Sequence, residues 1–258
     1  MNERPPYRLP KGIRPLHYVL VFRPDFSRAR FDGEAAIDLE VDGPATEVVL
    51  NALDLEIRDA HLSLGGANSV AATVAYRPEE EQAALVLDEP LGPGRCRLEL
   101  AFSGKLNDLL KGFYRSKFRD DDGRERWVAL TQFEPTDARR AFPCWDEPEW
   151  KATFGITVEA DEGLTVLSNA REVSSGPAGA GKRRTRFADT MKMSTYLVAM
   201  VIGPFGLTDA KDVDGVPVRI GYVPSRAGLT GLAEQAAAHA LHFLSGYFSI
   251  PYPADKLD

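Results

Sequence analysis

Residues 131–154 read TQFEPTDARRAFPCWDEPEWKATF. The stretch sets Gln132, Glu134, Asp137, Arg139, Arg140, Asp146 and Glu147 among aromatic residues and three prolines. It is too charged for a core strand and too aromatic for a solvent loop, which is the mixture of a folded loop that carries function. Trp127, Val128 and Leu130 lead into it as strand material. Gln132 and Glu134 are two apart, so on a strand they share a face. A Gln and a Glu side by side at a strand end suit an ammonium group. The same spacing equally allows Glu134 to pair with Arg139 or Arg140 and cap the next turn. Asp137 before Ala138 reads as the N-cap of a short helix that ends before Pro143. Asp146-Glu147-Pro148 reads as a turn or a second cap. For Asp137, Arg139, Arg140, Asp146 and Glu147 the expectation is structural, as ion pairs that brace the loop.

On either side of this stretch the chain reads as β. Ala35, Ile37, Leu39 and Val41 alternate with Ala36, Asp38 and Glu40, and Cys96, Leu98, Leu100 and Phe102 alternate with Arg97, Glu99 and Ala101. Period two is the mark of strands with one buried and one wet face. Tyr18, Leu20 and Phe22 give another strand, as do Phe154, Ile156 and Val158. The apolar run from Tyr196 to Ile202 has strand length. Turn signals separate the runs at Asp42-Gly43-Pro44, Gly65-Gly66, Gly92-Pro93-Gly94, Asp122-Gly123 and Asp161-Glu162-Gly163. Ser174 to Gly181 reads as a mobile loop, and Lys182-Arg183-Arg184 as a solvated hairpin tip. Many short strands with regular turns predict a mainly β fold, a sandwich or an open multi-sheet domain.

The period changes after Gly203-Pro204-Phe205. A strand from Val216 to Val223 precedes a helical run of Leu229, Leu232, Ala233, Ala236, Ala237, Ala240, Leu241, Leu244 and Phe248, which Pro251 and Pro253 stop. One strand and one helix cannot bury a core of their own. The expected domains are therefore 1–205, a β domain, and 206–258, the opening of a second domain that is cut off.

A net charge of −7 with no basic face argues against a nucleic-acid partner on electrostatic grounds. No window supplies the apolar length of a membrane span, and the N-terminus has no apolar leader core. Two cysteines, Cys96 and Cys144, are too few for a disulfide framework, so a reduced, cytoplasmic protein is expected. Cys144, between Pro143 and Trp145, reads as a buried inert thiol. Of the four histidines, none opens an H-E-x-x-H pattern. His239 and His242 share a helix face but read as surface imidazoles, and His17 and His61 as structural. Neither a G-x-S-x-G elbow nor a phosphate loop is present.

Four segments, in order, carry a family resemblance. Gly112-Phe113-Tyr114-Arg115-Ser116 resembles a G-x-Y-x-S strand. Thr131 to Phe154 resembles a T-Q-x-E…D-A-R…F-P-C-x-D-E-P…K-A-x-F block. Ser194 to Ala199 resembles a strand that closes an N-terminal domain. Tyr247 to Pro253, with Lys256-Leu257-Asp258, resembles the segment ahead of a G-x-M-E-N loop. All four belong to the zinc aminopeptidases of the aminopeptidase N and puromycin-sensitive type. The resemblance implies a saddle of antiparallel β-sheets, followed by the truncated start of a thermolysin-like α/β catalytic domain. It implies that Glu134 anchors the free α-amino group of a peptide substrate and that Gln132 lines the pocket for the first side chain. The G-x-M-E-N loop, the H-E-x-x-H-x18-E motif and the transition-state tyrosine are absent from this sequence. Zinc is thus expected in an intact parent, with no catalytic residue and no metal ligand in this chain. The expected partners are the substrate amino terminus and a catalytic domain in cis, and the chain alone is expected to be inactive. The alternative is a non-catalytic scaffold that keeps the fold.

Overall fold

The computed structural model describes residues 7–64 and 69–258. The Gly65-Gly66 turn signal and the first six residues lie outside them. The chain opens with the antiparallel hairpin β1 (Ile13–Asp25) and β2 (Arg30–Val41), followed by β3 (Ala45–Asn51) and β4 (Leu55–Leu64). Next come β5 (Val70–Ala71), β6 (Thr73–Arg77), β7 (Gln82–Leu91) and β8 (Gly94–Lys105). A second hairpin, β9 (Gly112–Arg119) and β10 (Glu125–Gln132), runs into the charged stretch. Beyond it lie β11 (Thr153–Asp161), β12 (Thr165–Ser168), β13 (Glu172–Gly179), β14 (Lys182–Phe187) and β15 (Met200–Gly203). Four short strands, β16 (Gly206–Leu207), β17 (Lys211–Val213), β18 (Val216–Val218) and β19 (Gly221–Tyr222), precede helix α1 (Thr230–Phe248).

The strands form an eight-stranded sheet, β13-β14-β11-β1-β2-β8-β4-β5, a four-stranded sheet, β12-β15-β10-β9, a three-stranded sheet, β3-β7-β6, and two small ribbons, β16-β19 and β17-β18. Neighbours are antiparallel except β1 and β11, which are parallel. The expected mainly β, multi-sheet architecture is therefore present.

Period two does the work here. In β2 the residues Ala35, Ile37, Leu39 and Val41 are buried, and in β8 so are Cys96, Leu98, Leu100 and Phe102. They join one large core in which Tyr18 stacks on Phe154 at 4.9 Å and meets Phe142 edge-on at 6.1 Å. Each buried ring is worth about 1.5–3 kcal/mol over an exposed one, and each ring pair roughly 0.5–1.5 kcal/mol more. Gly33 faces Phe102 across the β2–β8 ladder, and Phe31 faces Gly104 two steps away. A Cβ on Gly33 would lie 2.4 Å from the Phe102 ring, so the glycine is what lets the ring lie flat on the strand.

Three local expectations change. Tyr196 to Ile202 is not one strand: Thr195–Leu197 is a 3-10 turn and only Met200–Gly203 is extended. Polar side chains take the place of a ladder there. Asn169 binds both the Leu197 carbonyl and the Ala199 N–H at 2.8 Å, and Ser194 Oγ donates to the Pro148 carbonyl at 2.9 Å. Ser174 to Gly181 is not a loop but most of β13, paired with β14, and the turn is confined to Gly179, Ala180 and Gly181, all at positive φ. Lys182 and Arg184 are accordingly strand residues, paired with Asp161 at 2.6 Å and Glu159 at 3.0 Å. Val216 to Val223 breaks into β18 and β19 because the chain changes partner, from β17 to β16. The Asp214-Gly215 turn joining β17 to β18 has positive φ at both residues, the backbone a two-residue hairpin favours.

Residues after β15 build a second, small core of Val216, Val218 and Leu241, with Val213, Ala237, Tyr252 and Leu257 against it. Helix α1 has the expected bounds but buries only Leu241. Leu232, Phe243 and Tyr247 stand on its outer side, Leu232 78% and Tyr247 71% exposed.

Candidate functional site

Strand β10 delivers Gln132 to the rim of the four-stranded sheet, and the chain then turns at once. Phe133 is buried against Phe142 at 6.1 Å and fixes the start of the turn. The Glu134–Pro135 peptide is cis, and the Asp137 N–H closes the turn on the Phe133 carbonyl at 2.7 Å. Strand geometry therefore ends at Gln132, and Glu134 stands in the turn rather than on the strand face. The two residues still meet: Gln132 Nε2 donates to the Glu134 carbonyl at 3.4 Å. Both side chains are exposed.

The remainder of the stretch is a brace. Asp146 is 2% exposed. Its Oδ2 accepts the Arg139 N–H at 3.2 Å and Arg139 Nε at 3.0 Å, and its Oδ1 accepts the Thr195 hydroxyl at 2.6 Å. Arg139, 7% exposed, also donates to the Asp146 carbonyl at 3.1 Å and to Glu81 at 2.9 Å. Burial alone would lower the Arg139 guanidinium, but the Asp146 carboxylate beside it outweighs that and holds it above its ordinary value. Arg140 pairs with Asp137 at 2.7 Å and with Asp54. Glu147 accepts the Leu9 N–H at 2.7 Å and pairs with Arg8 at 3.1 Å.

The short helix is a single 3-10 turn, Ala138–Arg140, and Asp137 does not cap it through its side chain, which is committed to Arg140. The structural roles expected of Asp137, Arg139, Arg140, Asp146 and Glu147 are those seen. The alternative for Glu134 is not: Arg139 and Arg140 are both turned to other carboxylates. Among the described residues no cation stands within ion-pair reach of Glu134. The other four acids of residues 131–154, Asp137, Asp146, Glu147 and Glu149, each have one.

Sequence reasoning missed Asn51, Glu81, Asp54 and Thr195 as members of the brace. Asn51 is buried in β3 and accepts the Asp146 N–H at 3.0 Å, while its backbone exchanges two hydrogen bonds with Cys144. No local pattern marks a residue 95 positions away. Cys144 is buried, and burial first, then the Asp146 charge, pushes its thiol well above the ordinary value. Burial likewise pushes Cys96 up to about 11. Both are free thiols held in the unreactive form.

Zinc needs three or more donors around one point. Among the described residues no group of three His, Cys, Asp or Glu side chains is so placed. His242 Nδ1 lies 2.8 Å from Asp214, His239 stacks on Phe243, and His17 Nδ1 meets the Thr153 hydroxyl at 2.7 Å. No helix among the described residues is long and apolar enough to cross a membrane.

Comparison with known proteins gives one consistent result. The peptidase M1 N-terminal domain family matches residues 14–197. The chain is similar to aminopeptidase M1 of Arabidopsis thaliana, 39% identical over 97% of this chain and 29% of that protein. It is similar to the mitochondrial aminopeptidase 2 of Saccharomyces cerevisiae, 38% identical over 97% of this chain and 26% of that protein. It is similar to the puromycin-sensitive aminopeptidase of Caenorhabditis elegans, 35% identical over 97% of this chain and 27% of that protein. The chain thus spans a little over a quarter of the length of these curated relatives.

Proposed function

The chain belongs to the peptidase M1 N-terminal domain family, and from that premise we propose that it is the amino-terminal part of an aminopeptidase, in which Glu134 binds the α-amino group of the peptide substrate. The observation that carries this is the unpaired carboxylate. Every other acid in a densely charged stretch has its cation, and Glu134 is left free on a turn held by the Arg139–Asp146 brace. A fixed carboxylate without an internal partner fits a ligand ammonium. Anchoring the terminus also sets how far the scissile bond lies from it, which is how exo-cleavage is enforced. Gln132, beside it at the rim, borders the space for the first side chain.

The β domain of this reading runs to residue 205. Residues 206–258 open the catalytic domain, supported by their separate small core and by the uncovered outer face of α1. Zinc is held by the remainder of the longer protein, so these residues alone are inactive. Two free buried thiols favour a reducing, cytoplasmic setting.

The test uses the longer gene product and aminoacyl reporter substrates. Replacing a hydrogen-bonded charge partner costs about 2–3 kcal/mol. Glu134→Gln should lower kcat/KM roughly 30- to 150-fold. For N-acetylated reporters, which carry no ammonium, the same change should alter the residual rate less than twofold. Equal losses on both reporters would rule out the anchor. A wild-type gene product with no activity on any reporter would favour the scaffold alternative.

A further inference from the structure

The short strands β16 and β18, which precede α1, do not rest flush on the β domain. A cleft of about 490 Å³ opens between them, bordered by Leu164 and Phe187 on one side and Leu207 and Pro217 on the other. What crosses it is the segment 252–258. Tyr252 is half-buried in the small core and also borders a pocket with Asn169, Met193 and Leu197 of the β domain. Both oxygens of Asp255 accept the Arg171 N–H, at 3.1 and 3.3 Å, with Arg171 Nε 3.5 Å away. Arg171 lies in the link from β12 to β13, between the four-stranded and eight-stranded sheets. The far end of the segment is fixed to β18. The Leu257 N–H donates to the Pro217 carbonyl, its carbonyl accepts the Arg219 N–H, both at 2.9 Å, and Asp258 takes the Arg219 fork at 2.7 and 2.9 Å. Lys256, buried between these points, pairs with Asp258.

We infer that residues 252–258 are a latch, and that Asp255 is the positioning residue that keeps the α1 module in fixed register with the sheet carrying Gln132 and Glu134. The seat of Asp255 follows β12, which pairs with β15, which pairs with β10, the strand that ends at Gln132. The grip is on a backbone N–H, so it holds the course of the chain and not merely a mobile side chain. The Arg171 side chain is largely solvated, and its pairing with Asp255 adds little. The acceptor oxygen does the holding. The latch is a property of this chain, whereas its consequence for catalysis rests on the proposed function above.

The test is a distance distribution. Spin labels at Glu162→Cys on the β domain and Gln235→Cys on α1 occupy exposed positions, and the two native thiols are buried. In the 258-residue chain, double electron–electron resonance should give one narrow distance. Asp255→Ala should at least double its width, and Asp255→Asn, which keeps an oxygen for the Arg171 N–H, should restore it. A narrow distribution in Asp255→Ala overturns the latch. So does an Asp255→Asn distribution as wide as that of Asp255→Ala. In the longer enzyme, Asp255→Ala should lower kcat/KM on free-amine reporters, with the Asn variant recovering it. A widened distribution with unchanged kcat/KM would leave the latch standing and refute its catalytic role.

Discussion

Three carboxylates within thirteen residues should respond to truncation in three different ways, and Asp146→Ala is the most severe. Asp146 is almost wholly buried and accepts three hydrogen bonds through its carboxylate, from the Arg139 N–H, Arg139 Nε and the Thr195 hydroxyl. Its removal leaves a buried guanidinium with only Glu81 and a backbone carbonyl as partners. Breaking such a pair by deleting one member costs about 3–5 kcal/mol. Total stability of a domain is about 5–15 kcal/mol, so the loss is a large fraction of it. The corresponding fall in Tm is roughly 6–20 °C for a chain of this size. Asp137→Ala, which cuts a partly solvated pair with Arg140, should cost no more than about 1 kcal/mol. Glu134→Ala removes an exposed, unpaired group and should stay within about 0.5 kcal/mol of the parent. Urea unfolding of the four proteins, with the slope held common, measures all three differences. An Asp146→Ala loss below about 1 kcal/mol would refute the brace. A Glu134→Ala loss above about 1.5 kcal/mol would show that Glu134 has a partner inside the fold, and the amine-anchor reading would fall with it.

Other outcomes follow from packing and charge. Ellman's reagent at pH 8 should label neither Cys96 nor Cys144 in the folded chain and both in urea, because burial holds the two thiols protonated and covered. Gly33→Ala should destabilise by about 1–3 kcal/mol, since its Cβ would enter the Phe102 ring. The measured loss should be much smaller in the Gly33→Ala, Phe102→Leu double variant. Burial would raise the Asp258 carboxyl, but the Arg219 fork and Lys256 outweigh it and hold it below the ordinary range. Its folded value is thus below the unfolded one of about 3.9, so its contribution is complete above that pH and is lost as pH falls through the folded value. The stability difference between the parent and Asp258→Asn should be flat from pH 8 to 5 and shrink below about pH 4.

The sequence shows strands where burial alternates and hides them where it does not. In β2 and β8 the pattern is set by one wet and one dry face, and the reading needs only local residues. Tyr196 to Val198 carries the same apolar composition but is held by Asn169, Ser194 and Thr195, whose hydrogen bonds reach 28 to 49 residues away. Periodicity has no access to such partners. The candidate site divides in the same way. Gln132 and Glu134 can be named from residue type and spacing, and the family resemblance points to the same two. Which carboxylate Arg139 and Arg140 would choose cannot be read along the chain. Arg139 takes Asp146 seven residues on and Glu81 fifty-eight residues back, and Arg140 reaches Asp54 eighty-six back. Only after those choices is Glu134 seen to be left over.

The parallel seam between β1 and β11 sets an order of events at the ribosome. His17 is registered opposite Thr153, and Phe22 opposite Val158. The hairpin β1–β2 can form as soon as it emerges, but one edge of β1 must wait for a strand more than a hundred residues behind it. At ordinary synthesis rates of about 5–20 residues per second, that edge stands open for on the order of ten seconds. It offers unpaired N–H and C=O groups beside Tyr18, Leu20 and Phe22 throughout that time. The nascent chain is therefore most exposed to wrong pairing before residue 161 is made, and holding the β1 edge apart until β11 arrives is work for a chaperone that binds extended apolar segments.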